Sequence, residues 1–339
     1  MNKYNFCLVG AGSIGLRHLR LLLERGDVNM SVVESSEKVR AHLTTEYPTI
    51  PLYYSMEEAM QAEELDVFII ATPHRLHAEM AIKALNAGIN VFCEKPMSDD
   101  LNECVAMREA VEKSGKVFSV GFMFRFDPFV LKVKEIIKSG RIGKIVHYYS
   151  RFATYNTLLC SLTKHQQDTP YSLLMDCIHD TDLMCFFLEK TPDKVFANAI
   201  KAGDMPLSSP QNIIDTVYSF NNKELLASIH YNYVQHPQVH ALEIVGDKGY
   251  IQGDFMTADI TVGTIDGKVE KFSAKRDFDN VYRAEWEGFI QALKGDRAPE
   301  NDQDSAIRSI LVMQAQKDSA ISGKEIDIHN VARNCGFDY

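Results

Sequence analysis

Three groups of residues in this chain have the types and spacing needed for chemistry. The first is Gly10-Ala11-Gly12-Ser13-Ile14-Gly15, a G-x-G-x-x-G run that follows the apolar residues Phe6–Val9. Gly10 permits a tight turn, Gly12 lets a phosphate approach the backbone, and Gly15 lets the following helix pack close to the strand. The helix N-terminus, here Ser13 and Ile14, then offers unpaired N–H groups and a partial positive charge to an anion. The second is Glu94-Lys95-Pro96, an ammonium group directly after a short apolar run. The third is Asp176-Cys177-Ile178-His179-Asp180-Thr181-Asp182, where Asp176 and His179 lie three apart and would share one face of a helix, with Asp182 continuing that face. A carboxylate beside an imidazole raises its basicity and fixes its orientation, which suits a general base.

The glycine run alone is a weak signal. Its context strengthens it, because it follows a strand, opens an amphipathic helix and sits in a βαβ unit. Glu34 closes the second strand, where a carboxylate accepts hydrogen bonds from ribose hydroxyls and repels a 2′-phosphate. That favours NAD; Ser35 and Ser36 leave room for NADP, and Arg40 lies a turn or more into the next helix. The competing reading of Glu34 is a cap on a solvated strand end.

The elements that must position these residues follow from the apolar pattern. Short buried runs at 5–9, 30–34, 66–71, 90–94 and 116–121 read as parallel strands. Helices lie between them. The first is stopped by Gly26, another begins at a Ser55/Glu58 capping box, a third ends at Gly88, and a fourth is capped by Ser98. This alternation predicts a doubly wound α/β domain, Rossmann in type, over 1–122. From 123 to 339 the rhythm changes to helices at 129–139 and 171–188, then strands at 195–201, 216–220, 225–233, 241–245 and 260–264, with hairpin turns at Asn221-Asn222 and Asp266-Gly267. Helices at 281–293 and 302–321 close an α+β domain whose sheet is mostly antiparallel, with helices on one face.

Composition narrows the function. A formal charge of −10 argues against a protein that works by neutralising nucleic-acid phosphates. No apolar run approaches the roughly 20 residues of a membrane span. Seven dispersed cysteines without a C-x-x-C pair read as free thiols in a reducing cytoplasm. His74 and His77 with Glu94 lack the spacing of a metal cage, and no metal is expected.

Ala71-Thr72-Pro73, His77 and Ala87-Gly88-Ile89-Asn90-Val91-Phe92-Cys93-Glu94-Lys95-Pro96 resemble the Gfo/Idh/MocA oxidoreductases, named for glucose–fructose oxidoreductase and inositol dehydrogenase. Gly121-Phe122-Met123-Phe124-Arg125-Phe126, Gly140-Arg141-Ile142-Gly143 and Ser322-Gly323-Lys324 extend the resemblance along essentially the whole chain. It implies that Lys95 sits beside the nicotinamide and contacts the reacting hydroxyl or carbonyl. Thr72, Pro73, His77 and Glu94 would line that side, and Asp176 and His179 would face the cofactor from a helix of the second domain. It also implies a homodimer or homotetramer paired through the second sheet.

There are departures. Many members place the aspartate four residues before the histidine, where this chain has Met175, and Thr169-Pro170-Tyr171-Ser172 replaces a glycine-rich stretch. The present spacing resembles a subset with a D-x-S-H-E-I-D pattern. His236, in Tyr233-Val234-Gln235-His236-Pro237, stands where an arginine is common. The polar segment from Asn156 to Gln167, with Lys164 and His165, reads equally as a substrate loop and as a solvated excursion.

The expectation is hydride transfer between NAD and a secondary alcohol or ketone of a sugar, polyol or sugar derivative. Beside imine or enone reduction, which would need less of the Asp176/His179 pair, two other classes remain on sequence alone. One is a glycosidase or internally recycling enzyme that oxidises its substrate only transiently, which would show no net absorbance change at about 340 nm. The other is a non-catalytic dinucleotide-binding regulator, which would have little use for Lys95, Asp176 and His179 together.

Overall fold

The computed structural model describes residues 3–161, 164–220 and 224–337; the Asn221-Asn222 turn lies outside the described residues. The chain forms two compact units. One holds the residues up to Met123 together with Phe278–Ile307, and the other holds Phe124–Asp277 and the chain from Arg308 onward.

The first unit is built on a six-stranded parallel sheet. Its strands are β1 (Tyr4–Val9), β2 (Val28–Val33), β3 (Leu52–Tyr53), β4 (Val67–Ile70), β5 (Asn90–Cys93) and β6 (Phe118–Val120), in the spatial order β3-β2-β1-β4-β5-β6. The order reverses between β1 and β4, the switch point where such sheets bind ligands beyond their carboxyl ends. The strands are short because both faces are covered, and β4 is buried at every position. Phe6, Leu8, Val32, Ile69 and Phe92 pack in one core with Leu19 and Leu22 of the helix Ser13–Leu23 and with Trp286, Phe289 and Ile290 of the helix Phe278–Leu293.

Two expected helix ends differ in the fold, and a third forms as expected. The first helix ends at Glu24 rather than at Gly26; Arg25 turns into the loop and grips Asp27 with two hydrogen bonds of 2.9 and 2.7 Å. The helix Leu101–Ser114 is capped by Asp100, whose carboxylate accepts from the N–H of Asn102 at 2.7 Å, because a cap must directly precede the first turn. Ser98 instead accepts from the N–H of Asp100 at 3.1 Å. At Ser55 the capping box forms as expected on one side, the hydroxyl accepting from the N–H of Glu58 at 3.1 Å, while the Glu58 carboxylate reaches the N–H of Tyr54.

The second unit carries a nine-stranded sheet. Its strands are β7 (Ile145–Ala153), β8 (Lys194–Ile200), β9 (Ile213–Phe220), β10 (Leu225–Asn232), β11 (Val239–Gly246), β12 (Gly249–Asp254), β13 (Asp259–Thr264), β14 (Val269–Ser273) and β15 (Ile326–Asp327). They run in the order β14-β13-β12-β11-β7-β10-β9-β8-β15, antiparallel except where β10 meets β7. Tyr148, Ser150, Thr216, Tyr218 and Tyr231 face the helices Ile178–Leu188 and Gln303–Ser322 through buried contacts such as Ser150 to Asp180 and Gln316 to Tyr218. On the other face Phe196, Val217, Leu226 and Ile200 stay between 43% and 49% exposed.

The long helix expected over 171–188 is two helices, Ser172–Asp176 and Ile178–Leu188, separated at Cys177. Separate anchors account for the break. Asp176 takes the hydroxyl of Tyr233, while Asp180 accepts from Ser150 at 3.2 Å and binds His240 Nε2 at 3.1 Å. The segment from Asn156 to Gln167 likewise holds two short helices, Asn156–Cys160 and His165–Asp168, among its described residues. Asp182 is a structural group. Its buried carboxylate accepts Arg125 Nε at 2.9 Å, Arg125 Nη2 at 2.5 Å and the Ser309 hydroxyl at 3.0 Å. Asp182→Ala leaves that guanidinium buried without its counter-ion and should destabilise this unit by about 3–5 kcal/mol, read as a fall in the urea midpoint.

Candidate functional site

The first unit has a cavity of about 380 Å³ at the carboxyl ends of β1, β2 and β4. Gly10, Gly12, Glu34, Ser35, Thr72 and Pro73 all line it. The three glycines do three different things. Gly10 has φ +90°, a left-handed conformation that side chains rarely adopt. A Cβ at Gly15 would stand 2.1 Å from the carbonyl oxygen of Gly10, so the helix can approach the turn only without one. A Cβ at Gly12 would meet nothing within 4 Å, so this backbone faces open space. Gly12 is also the N-cap of the helix Ser13–Leu23, with no side-chain cap and no acidic residue in the first turn. Its N–H groups and partial positive charge are therefore left for an anion, and a pyrophosphate fits that description. Ser13 and Ile14 open this turn, with Ser13 exposed.

Glu34 holds the other end. One carboxylate oxygen accepts from the N–H of Ala11 at 2.9 Å and the other from the N–H of Ser36 at 2.8 Å. Each oxygen keeps a further lone pair, which is what two ribose hydroxyls need. Arg40, remote from Glu34 along the sequence, folds back beside it. Its Nη1 donates to the carbonyls of Glu34 at 3.1 Å and Tyr53 at 2.7 Å, and its guanidinium stacks 3.6 Å from the centre of the Tyr54 ring. Tyr54, Leu76 and Met80 line the cavity too and were not singled out from sequence. The available signal was Tyr54, a large aromatic left 53% exposed just before a helix cap.

His77 lies 1% exposed beneath the cavity rather than on its wall. Its Nδ1 is 2.9 Å from the carbonyl of Pro96 and its Nε2 is 2.9 Å from that of Thr72, so the ring staples the Thr72-Pro73 turn to the Lys95-Pro96 segment. Burial pushes this imidazole below its ordinary value against the pull of both carbonyls and the Glu94 charge. Glu94 is also nearly enclosed. His18 Nε2 lies 2.8 Å from its Oε1, and its Oε2 accepts from the N–H of Lys95 at 3.1 Å. Burial works to raise this carboxyl, but the hydrogen bond from His18, with the Lys95 charge and N–H, outweighs it and holds it below the ordinary carboxylate value. Lys95 follows directly from β5 and is joined to Pro96 by a cis peptide.

In the second unit, His179 stands in the first turn of the helix Ile178–Leu188, with the Phe124 ring edge-on at 5.0 Å. Phe124 also meets His240, whose ring stacks on Phe255 at 3.9 Å. Asp176 ends the preceding helix and is fixed by Tyr233. Burial, then the Asp176 charge, pushes the Tyr233 phenol well above its ordinary value, so it remains a donor. His236 pairs with Asn156, Nδ1 to Oδ1, at 3.1 Å.

Residues 4–122 match the model of an oxidoreductase family with an NAD-binding Rossmann fold, GFO_IDH_MocA, and residues 130–252 match that family's C-terminal domain. An inositol 2-dehydrogenase of Salmonella paratyphi B is 28% identical over 306 residues, 86% of either chain. An NADP(+)-dependent D-xylose 1-dehydrogenase of Haloferax volcanii is 24% identical over 95% of this chain and 99% of its own. An oxidoreductase of Agrobacterium radiobacter, solved with NAD+, L-tartaric acid and magnesium, shares the fold with a TM-score of 0.86 at 16% identity, covering 97% of this chain and 99% of that one.

The glycine geometry separates folding from binding. Gly15→Ala forces a methyl group into the Gly10 carbonyl and should lower thermal stability by at least the roughly 1–3 kcal/mol of an overpacked site. Gly12→Ala meets no neighbour and should melt close to the parent. Its methyl occupies the space a phosphate needs, so an NADH fluorescence titration should show most of the affinity lost.

Proposed function

Because the chain belongs to the GFO/IDH/MocA oxidoreductase family, we propose that it is an NAD(P)-dependent dehydrogenase moving hydride between nicotinamide and a secondary alcohol or ketone of a sugar, polyol or related carbohydrate derivative. The observation that carries this reading is the cavity at the strand ends, where an uncapped glycine turn and the Glu34 carboxylate stand together. The nicotinamide supplies a hydride acceptor. The chain must do the rest: hold the dinucleotide, orient the substrate and move one proton.

On this reading Gly10, Gly12, Ser13, Ile14 and Gly15 hold the pyrophosphate. Glu34 and Ser35 hold the adenosine ribose, and the Glu34 carboxylate favours NAD by repelling a 2′-phosphate. Thr72, Pro73 and Glu94 bound the nicotinamide side, with His77 fixing that wall from below. Lys95 presents its ammonium to the substrate oxygen and stabilises negative charge as the C–H bond breaks. His179 takes the hydroxyl proton, and Asp176, fixed by Tyr233, is the carboxylate that tunes it. We place residues 1–122, with Phe278–Ile307 packed into the same unit, as the cofactor domain and the remainder of 123–339 as the substrate and assembly domain. The cytoplasm is the matching compartment, as seven reduced cysteines, four of them buried, suit a reducing environment.

Assembly into a homodimer or homotetramer is proposed through the second sheet. Strand pairing sets Phe196 against Val217, and alternation puts Leu226 and Ile200 on the same face, so an apolar strip crosses β8, β9 and β10. A strip of that kind is usually covered by a partner. Val217→Glu with Leu226→Glu should lower the mass measured by light scattering to that of one chain.

Lys95→Met tests the chemistry. Turnover against a panel of inositols, sugars, sugar acids and nucleotide sugars should fall by about 10²–10⁴-fold, the worth of acid–base assistance, with NADH affinity nearly intact. Equal losses in both would make Lys95 a binding residue, and a parent enzyme that reduces NAD with no member of the panel would overturn the reading.

A further inference from the structure

His18 is fully buried one turn beyond the glycine run, and the cofactor reading above gives it no task. Three aromatic rings hold its imidazole edge-on: Phe92 at 5.5 Å, Tyr282 at 5.5 Å and Trp286 at 5.2 Å. Trp286 Nε1 donates to His18 Nδ1 at 3.1 Å. An indole nitrogen can only donate, so Nδ1 is the acceptor and the ring carries its proton on Nε2. That N–H therefore points along the 2.8 Å contact to Glu94 Oε1. Tryptophan sets the tautomer, and the tautomer makes histidine a donor.

The carboxylate is confined on its remaining sides. A Cβ at Gly121 would lie 3.0 Å from Glu94 Oε1, so the group packs on bare backbone. Behind it, Glu285 is 1% exposed, with Oε1 at 3.4 Å from Asn301 Nδ2 and Oε2 without a hydrogen-bond partner. Burial, then the charge on Glu94, pushes the Glu285 carboxyl well above its ordinary value and keeps it neutral. The other titratable groups around Glu94 are Lys95 and Cys93 on its own strand end, His77 from the helix His77–Asn86, and Tyr282 from the helix Phe278–Leu293. Burial holds the Cys93 thiol and the Tyr282 phenol up and the His77 imidazole down, so these three stay uncharged. One negative charge, on Glu94, faces Lys95 from an otherwise neutral enclosure.

We propose that His18 is a positioning residue for the reacting end of the cofactor: its Nε2–H fixes Glu94 as an oriented carboxylate, and Trp286 fixes His18 in the tautomer that can do so. This rests on the reading that Glu94 and Lys95 bound the nicotinamide side. A buried carboxyl that loses its side-chain donor is left with the burial that favours its neutral form, and it takes a proton at a higher pH. Glu94 would then lose its charge as the pH falls, and the nicotinamide side that it bounds would lose its oriented carboxylate.

The experiment is an NADH titration by cofactor fluorescence from about pH 5 to 8 on the parent, His18→Leu, His18→Gln and Glu94→Gln, with kcat measured over the same range. The parent should bind with nearly constant affinity. His18→Leu should lose affinity progressively toward low pH, by about tenfold or more, the worth of a hydrogen bond to a charged group. His18→Gln retains both a donor for Glu94 and an acceptor for Trp286, and it should restore the flat profile. Glu94→Gln should bind weakly and without pH dependence, and adding His18→Leu to it should change little. Should the leucine variant not fold, the glutamine variant in the presence and absence of Trp286→Phe carries the same test, since freeing the acceptor side should bring the pH dependence back. A purely structural His18 would lower affinity by one factor at every pH, and that result, or identical flat profiles in parent and His18→Leu, overturns the proposal. Failure of the parent to oxidise any polyol would overturn the dehydrogenase reading and leave this titration standing.

Discussion

A carbonyl oxygen and an alpha carbon that almost touch govern the first unit. The helix Ser13–Leu23 begins so close to the end of β1 that a methyl on Gly15 would lie 2.1 Å from the oxygen of Gly10. That approach points the helix axis at the switch between β1 and β4, and it leaves the first-turn N–H groups with no side chain to cap them. Uncapped donors are unfavourable in a folded chain unless water or a ligand takes them. The sheet order, the buried strands and the left-handed Gly10 all serve this one placement of a positive helix end.

A second constraint is that polar groups near the site are buried in sets that satisfy one another. Asp182 collects two donors from Arg125 and one from Ser309, and Asp180 is shared by Ser150 and His240. Such networks are worth little as net stability but costly to break, so they define one geometry sharply. His179 and Asp176 lie within six residues of both, on short helices whose ends are dictated by these anchors. The positions of Asp176 and His179 are thus set by buried polar groups packed around them.

Much of this was legible in the sequence, and the reason is periodicity. Apolar runs of four to six residues separated by amphipathic helices can bury both faces only as a parallel sheet, and the Rossmann order followed. Glycine roles, the Glu34 carboxylate and the strand-end position of Lys95 were readable because each depends on a local residue type at a fixed offset. Less visible were features that depend on distant segments. The two-residue β3 is too short to carry a pattern, yet its neighbour Tyr54 shapes the cavity. The Asp176/His179 spacing suggested one unbroken helix, because nothing nearby announces that Tyr233, fifty-seven positions later, anchors the carboxylate. Arg40 lies a turn into the next helix, yet its long side chain reverses that turn to reach the Glu34 carbonyl.

The same reasoning explains why Glu94 is the least readable and the most informative residue of the first unit. On the page it is one letter of a tripeptide whose lysine draws the eye. In the fold it is a carboxylate moved almost entirely out of water, which by itself would neutralise it. It remains charged because an imidazole on the helix Ser13–Leu23, 76 positions earlier, presents a proton, and that imidazole presents a proton because the Trp286 indole occupies its second nitrogen. A charge kept where solvation opposes it must be held by donors whose own orientation is over-determined. Three rings and one indole N–H supply that orientation here, and they belong to the hydrophobic core. Packing and electrostatics in this unit are therefore one arrangement: the aromatic cluster that packs the core also orients the imidazole that keeps Glu94 charged.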